Sequence, residues 1–238
     1  MAIAKRIANQ LLRDRRSMAL IVIAPLIVMS LVGFSFSNQP FILDRVAPAL
    51  LGTFALFFTF ILTGVSFLRE RSQGTLERLL TTPVGRGDIL VGYLLGFFVF
   101  AAVQSLVILM FTVFALRVNY QGDLWQIFVL LMVLTIVGVN LGIFISTFAK
   151  NEFQVVQFIP LVLAPQIFLS GIILPVDQMP GYLAAIAKVL PLTYAVEGLQ
   201  DIMLRGQSLA AVGKELGVLA AFAAALLTLA AVTVRKTT

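Results

Sequence analysis

FLRERSQGTLERLLTTP, Phe67–Pro83, carries five charges within the ten residues from Arg69 to Arg78, and long apolar runs flank it on both sides. A membrane-spanning helix needs about 20 mostly apolar residues. The run before the charges, Val46–Phe67, and the run after them, Ile89–Leu116, both meet that requirement without one charged residue. The segment therefore reads as a water-facing loop between two spans. Counting outward from it sets the rest of the fold.

Six uncharged runs qualify as spans: Met18–Phe36, Val46–Phe67, Ile89–Leu116, Gln126–Ala149, Val155–Leu174 and Leu216–Val234. In lipid the backbone must satisfy its hydrogen bonds internally, so such runs have to be helices. Composition agrees. Of 238 residues, 60% are hydrophobic and 12% charged, against about 25% charged in soluble domains. A soluble enzyme is excluded on that ground. The expected fold is an all-α integral membrane protein with six transmembrane helices, forming a single domain over residues 1–238.

The net charge is +6, and its placement carries information. With the N-terminus inside, twelve of the 17 Lys and Arg residues fall on inner segments and five (Arg45, Arg117, Lys188, Arg205 and Lys214) on outer ones. Cytoplasmic loops are enriched in such residues, so both termini are expected in the cytoplasm. The positive excess is thereby accounted for without nucleic acid as a partner. The chain has neither Cys nor His, so it offers no thiolate metal site and lacks the commonest general base. Near the start, Ile3, Ile7 and Leu11 recur at helical spacing among Lys5, Arg6, Asn9 and Arg13. This pattern fits a helix lying in the inner membrane interface, or a basic tail that only sets topology.

Within the charged loop the second span is expected to continue through Leu68–Gln73 and to break at Gly74, which suits a sharp turn. Thr75 is placed to cap a new short helix, with Glu77 near its positive end. Leu76, Leu79 and Leu80 share one face of that helix, and Pro83 stops it. Two uses fit this shape. The leucine face rests on lipid headgroups, or it fills a groove on a soluble partner while the charges set register.

RERSQGTLERLLTTPVGRGDIL, from Arg69 onward, resembles the first cytoplasmic loop of the type-2 permease subunits of bacterial ABC exporters. The match rests on Arg69, Glu70, Gly74, Thr75, Leu76, Glu77, Leu79, Leu80 and Pro83. Asn151–Pro180 is similar to that family's fifth span with the outer segment after it, and Leu190–Gly206 to its outer helix before the last span. The resemblance implies that Glu70, Gly74, Thr75, Leu76, Glu77, Leu79 and Leu80 belong to a coupling helix that docks on a separate ATP-hydrolysing subunit. It also implies two such ATPase subunits, binding ATP and Mg, and a second permease copy or a similar permease. The bacterial plasma membrane is the implied location. Some members carry a large soluble domain after the first span, whereas here that link is only Ser37–Arg45.

The chain has no Gly-x-x-x-x-Gly-Lys-Ser/Thr loop, so it is expected to hold no nucleotide or other cofactor and to be no enzyme by itself. The spans contain no Asp, Glu or His, the groups that ion-driven carriers use inside the bilayer. Uncharged polar residues are then the pathway candidates: Thr59, Thr63 and Ser66 on the second span, and Gln157, Gln166 and Ser170 on the fifth. Each also fits a plain hydrogen bond between helices, as does Asn140. Gly92/Gly96 and Gly138/Gly142 have the spacing of close helix packing. Beyond the fifth span, the chain is too apolar for a simple loop and predicts two short re-entrant helices, with Glu197, Asp201 and Arg205 as a water-facing stripe. The resemblance implies an outer gate there, at Leu174, Pro175, Pro191, Tyr194 and Glu197; a simple tie between the last two spans is the other reading.

Taken together, these features point to a permease subunit moving a drug-like or lipid-like amphiphile outward. The alternative is a non-transporting scaffold or sensor whose loop recruits a partner.

Overall fold

A computed structural model describes residues 6–7, 15–75 and 85–236. The described residues form helices joined by turns, without a strand. In chain order these are α1 (Arg15–Ser35), α2 (Pro40–Ser72), α3 (Arg86–Met110, extended by a π-helical turn, Phe111–Ala115), α4 (Leu124–Ser146) and α5 (Glu152–Leu169). A single 3-10 turn, Val176–Gln178, leads to α6 (Gly181–Ala187), α7 (Pro191–Arg205) and α8 (Gly213–Lys236).

Each expected span coincides with one helix, with shifts of a few residues at the ends. α2, α3, α4, α5 and α8 are long and apolar enough to cross a membrane. α1 covers the first expected span over 21 residues. α6 and α7 meet at 86°, a sharp bend that fits the expected re-entrant pair. One boundary needs correction. The fifth span was expected to reach Leu174, but α5 stops at Leu169 and the chain turns at once through Ser170 and Gly171.

α2 and α4 form the centre of the bundle, and Gly142 shows why they approach so closely. A Cβ there would lie 2.9 Å from the Phe60 carbonyl oxygen and 3.0 Å from the Gly64 nitrogen, both backbone atoms of α2. Only glycine fits such an approach. Gly138, one turn earlier, faces Thr59 and Leu56. The glycine pair of α4 is thus a packing seam within one subunit. Leu51, Leu56 and Phe60 of α2, Leu130 and Leu134 of α4, and Leu192, Val196 and Leu199 of α7 complete one buried core. Polar bonds reinforce it: Asn140 donates to the Ala223 carbonyl of α8 at 2.9 Å, and Ser105 and Thr135 link α3 to α4 at 3.1 Å.

α5 lies at the edge, against α2. In its apolar stretch 17% of residues are buried, against 72% in α2. Phe153, Leu161 and Phe168 are exposed.

Candidate coupling end, pathway and gate

At one end α2 runs on beyond its apolar part, and its charged residues Arg69, Glu70 and Arg71 are consecutive. Consecutive helical residues point about 100° apart, and these three reach four different partners. Arg69 Nε and Nη2 donate to Glu152 Oε1 and Oε2 at 3.0 and 3.3 Å, in the first turn of α5. Arg71 Nη1 donates to the Ser146 carbonyl at 2.9 Å. That carbonyl belongs to the last turn of α4, where carbonyls lack helical partners and a positive group is favoured.

Glu70 is only 4% exposed. Its Oε2 accepts from Arg6 Nη2 at 2.7 Å and from the Tyr93 hydroxyl at 2.8 Å, and Arg6 Nη2 also donates to the Tyr93 oxygen at 3.0 Å. A carboxylate is tolerated at such burial only when paired and hydrogen-bonded. Phe67 packs edge-on against the Tyr93 ring, and Ile7 is buried in the same apolar cluster. Glu70, one of the expected coupling residues, is thus buried and clasps the N-terminal residues and α3 to α2.

Of the other expected coupling residues, Gly74 takes the left-handed conformation (φ +68°) that a break at the end of α2 requires. Thr75, half-buried, is helical again. Leu76, Glu77, Leu79 and Leu80 lie outside the described residues.

The pathway candidates do not share one space. Thr59 and Thr63 are fully buried and face Gly138 and Gly142 of α4, their hydroxyls without a hydrogen-bond partner among the described residues. The seam that places them is internal to the subunit. Ser66 is half-buried. On α5, Gln166 is buried and donates to the Val162 carbonyl at 3.3 Å, and Ser170 is buried and donates to Ile167 at 3.1 Å. Gln157 is exposed. Gln157 and Gln166 are nine residues apart, about half a turn out of phase on a helix, so they cannot line the same face.

At the opposite end, a cavity of about 310 Å³ is lined by Val176, Lys188, Thr193, Tyr194, Glu197 and Lys214. Tyr194 is fixed there by donating its hydroxyl to the Lys188 carbonyl at 2.8 Å. Two of the expected gate residues, Tyr194 and Glu197, are therefore brought together. Pro191 is buried at the start of α7, and Leu174 and Pro175 are exposed away from the cavity wall. The expected charged stripe divides. Arg205 is exposed and bonds Asp201, whereas Glu197 is partly buried. Burial, the largest influence, pushes the Glu197 carboxyl up from its ordinary value; the Lys214 ammonium opposes the rise, and Glu215 and Asp201 add to it.

Three members of the charged end were not recognisable from the sequence as its members. Tyr93 sits in an apolar run with nothing to distinguish it. Arg6 was legible only as one of several basic residues. Glu152 had a local signal, since Asn151 before it is an N-cap whose side chain accepts from the Gln154 nitrogen at 2.9 Å.

Comparison with known proteins is decisive at the level of family. The family described as ABC-2 type transporter matches residues 1–204. The chain belongs to that family. It is a multi-pass membrane protein, and the charged loop, the α2–α4 core and all of α7 but its last residue fall inside the matched span. Similar proteins include the probable multidrug ABC transporter permease YbhS of Escherichia coli, 32% identical over 147 residues, which are 61% of this chain and 39% of that protein. The linearmycin resistance permease protein LnrN of Bacillus subtilis is 31% identical over 159 residues, 67% of this chain and 41% of that protein. ABC transporter G family member 20 of Dictyostelium discoideum is 30% identical over 172 residues, 72% of this chain and 23% of that protein. The matched stretch is thus less than half the length of each of these relatives.

Proposed function

We propose that this chain is the membrane-spanning subunit of an ATP-driven exporter, moving an amphiphilic or hydrophobic cargo out of the cytoplasm or the inner leaflet. A separate ATPase, present in two copies and binding ATP and Mg, supplies the drive. The chain itself carries no catalytic residue. It works in the bacterial plasma membrane with both termini cytoplasmic, paired with a second copy or a similar permease.

The observation that carries this reading is the end of α2. Three adjacent charges tie it to α3, α4, α5 and the N-terminal residues just before the chain breaks at Gly74. A loop so tethered delivers force into the bundle, as a docking site for a moving ATPase must. A surface helix merely resting on headgroups has no need of such ties. Further support comes from the exposed face of α5, which leaves room for a second permease, and from relatives named as multidrug and linearmycin resistance permeases. An amphiphilic cargo suits spans without fixed charge.

Inverted membrane vesicles from cells with and without the chain test this reading, using uptake of the lipophilic dye Hoechst 33342. ATP-dependent uptake that needs the chain, and that is lost with Glu77→Ala and Leu80→Ala together, is the expected result. Uptake that ignores both the chain and these substitutions contradicts the reading.

A further inference from the structure

We propose that Arg69 and Glu152 are positioning residues for transport, and that their ion pair carries movement of the charged loop into α5. The inference rests on the reading above that this loop meets an ATPase.

Two of the tethers before Gly74 differ in kind. Glu70 is buried with two donors on one oxygen, and breaking it would strand a charge away from water. Such a contact is a fixed joint. Arg69–Glu152 is a two-bond pair with both side chains partly exposed. Exposed pairs cost little to break and re-form, yet the two-point contact defines an orientation while it holds. It suits a joint that must change geometry.

α5 is built to respond at that point. Its start is stiffened twice, since Asn151 caps the Gln154 nitrogen at 2.9 Å and the Lys150 nitrogen donates to the Gln154 side chain at 2.7 Å. A pull on Glu152 therefore turns the helix end and does not fray it. Val155 is buried in one apolar cluster with Leu68 and Ala149 and faces Gly64 closely, which provides a pivot one turn further on. Past the pivot, Pro160 and Pro165 each remove a helical hydrogen bond and ease bending. Past that point only a minority of α5 is buried: in its apolar stretch 17% of residues are, against 72% in α2.

The native chain has no Cys, so Phe153→Cys on α5 and Leu229→Cys on α8, both at exposed positions, are the only spin-labelling sites on the chain, and diluting the labelled chain with unlabelled chain isolates the distance within one copy. The distance between them is measured in the purified complex with its ATPase, with and without ATP and vanadate. The parent complex should show a nucleotide-dependent shift. R69E, E152R and the milder E152Q should each lose most of it, with the ATPase still co-purifying. The charge-swapped double variant R69E/E152R should regain it. A shift unchanged in the single variants, or absent in the double variant despite full assembly, overturns the inference. A parent complex that assembles but shows no shift overturns it as well, while leaving the exporter reading standing. Failure of any ATPase to co-purify overturns both.

Discussion

The Glu70 carboxylate and the Tyr93 hydroxyl lie 2.8 Å apart in the interior of the bundle, 23 residues apart in sequence and on the two helices, α2 and α3, that flank Gly74. Whatever acts on the charged loop acts on a segment whose start is locked to the helix that follows it. Removing the Tyr93 hydroxyl should show how much this lock contributes. Tyr93→Phe keeps the ring against Phe67 but takes one of two donors from a buried carboxylate. Losing a hydrogen bond to a buried charged group costs about 1–3 kcal/mol. The detergent-solubilised variant should therefore melt at lower temperature, and Glu70→Gln should narrow the gap between Tyr93→Phe and its parent.

The α2–α4 seam yields a graded series. Gly142→Ala drives a Cβ into two backbone atoms of α2 that cannot yield. Overpacking of this kind costs about 1–3 kcal/mol. Gly138→Ala meets only side chains, Thr59 Cγ2 at 3.0 Å first among them, so its cost should be smaller. Gly217→Ala, with nothing within 4 Å, should stabilise α8 by about 0.5–1 kcal/mol, because glycine is a poor residue inside a helix. Thermal unfolding of the three variants checks the order.

Much of this was visible in the residues alone, for identifiable reasons. Spans are legible because lipid admits no alternative to a closed helix, so an uncharged run such as Val46–Phe67 has one outcome. Gly74 was legible because a glycine between two charged helical stretches has a local use. The direction in which a side chain points was not legible where it depends on neighbours distant in sequence. In sequence Glu70 looked like Glu77 in the same charged stretch, and the burial of Glu70 depends on Arg6 and Tyr93, both far from it along the chain. Thr59 and Thr63 had the spacing of a polar stripe, and the glycines of α4, some 80 residues later, turn that stripe into a seam.

Glu197 predicts a pH dependence. Its carboxyl is raised in the folded chain, so folding favours its protonated form. Below the unfolded value, near 4.5, it is protonated in both states and carries no penalty. As pH rises through the raised folded value, ionisation of the partly buried group costs stability. Glu197→Gln should therefore raise the melting temperature relative to its parent at neutral pH, and the difference should fade as pH drops below that of an ordinary carboxylate. A gain that persists unchanged in acid would show that charge is not its cause.

The central claim is that the loop after α2 is where an ATPase engages this permease. A pull-down of the tagged chain from its native membrane under gentle detergent, with the co-purifying proteins identified by mass spectrometry, tests it most directly. A soluble ATPase recovered at one-to-one ratio, and lost when Glu77 and Leu80 are replaced while the chain remains folded, is the predicted result. Recovery of no ATPase, or of an ATPase indifferent to both substitutions, would contradict the account.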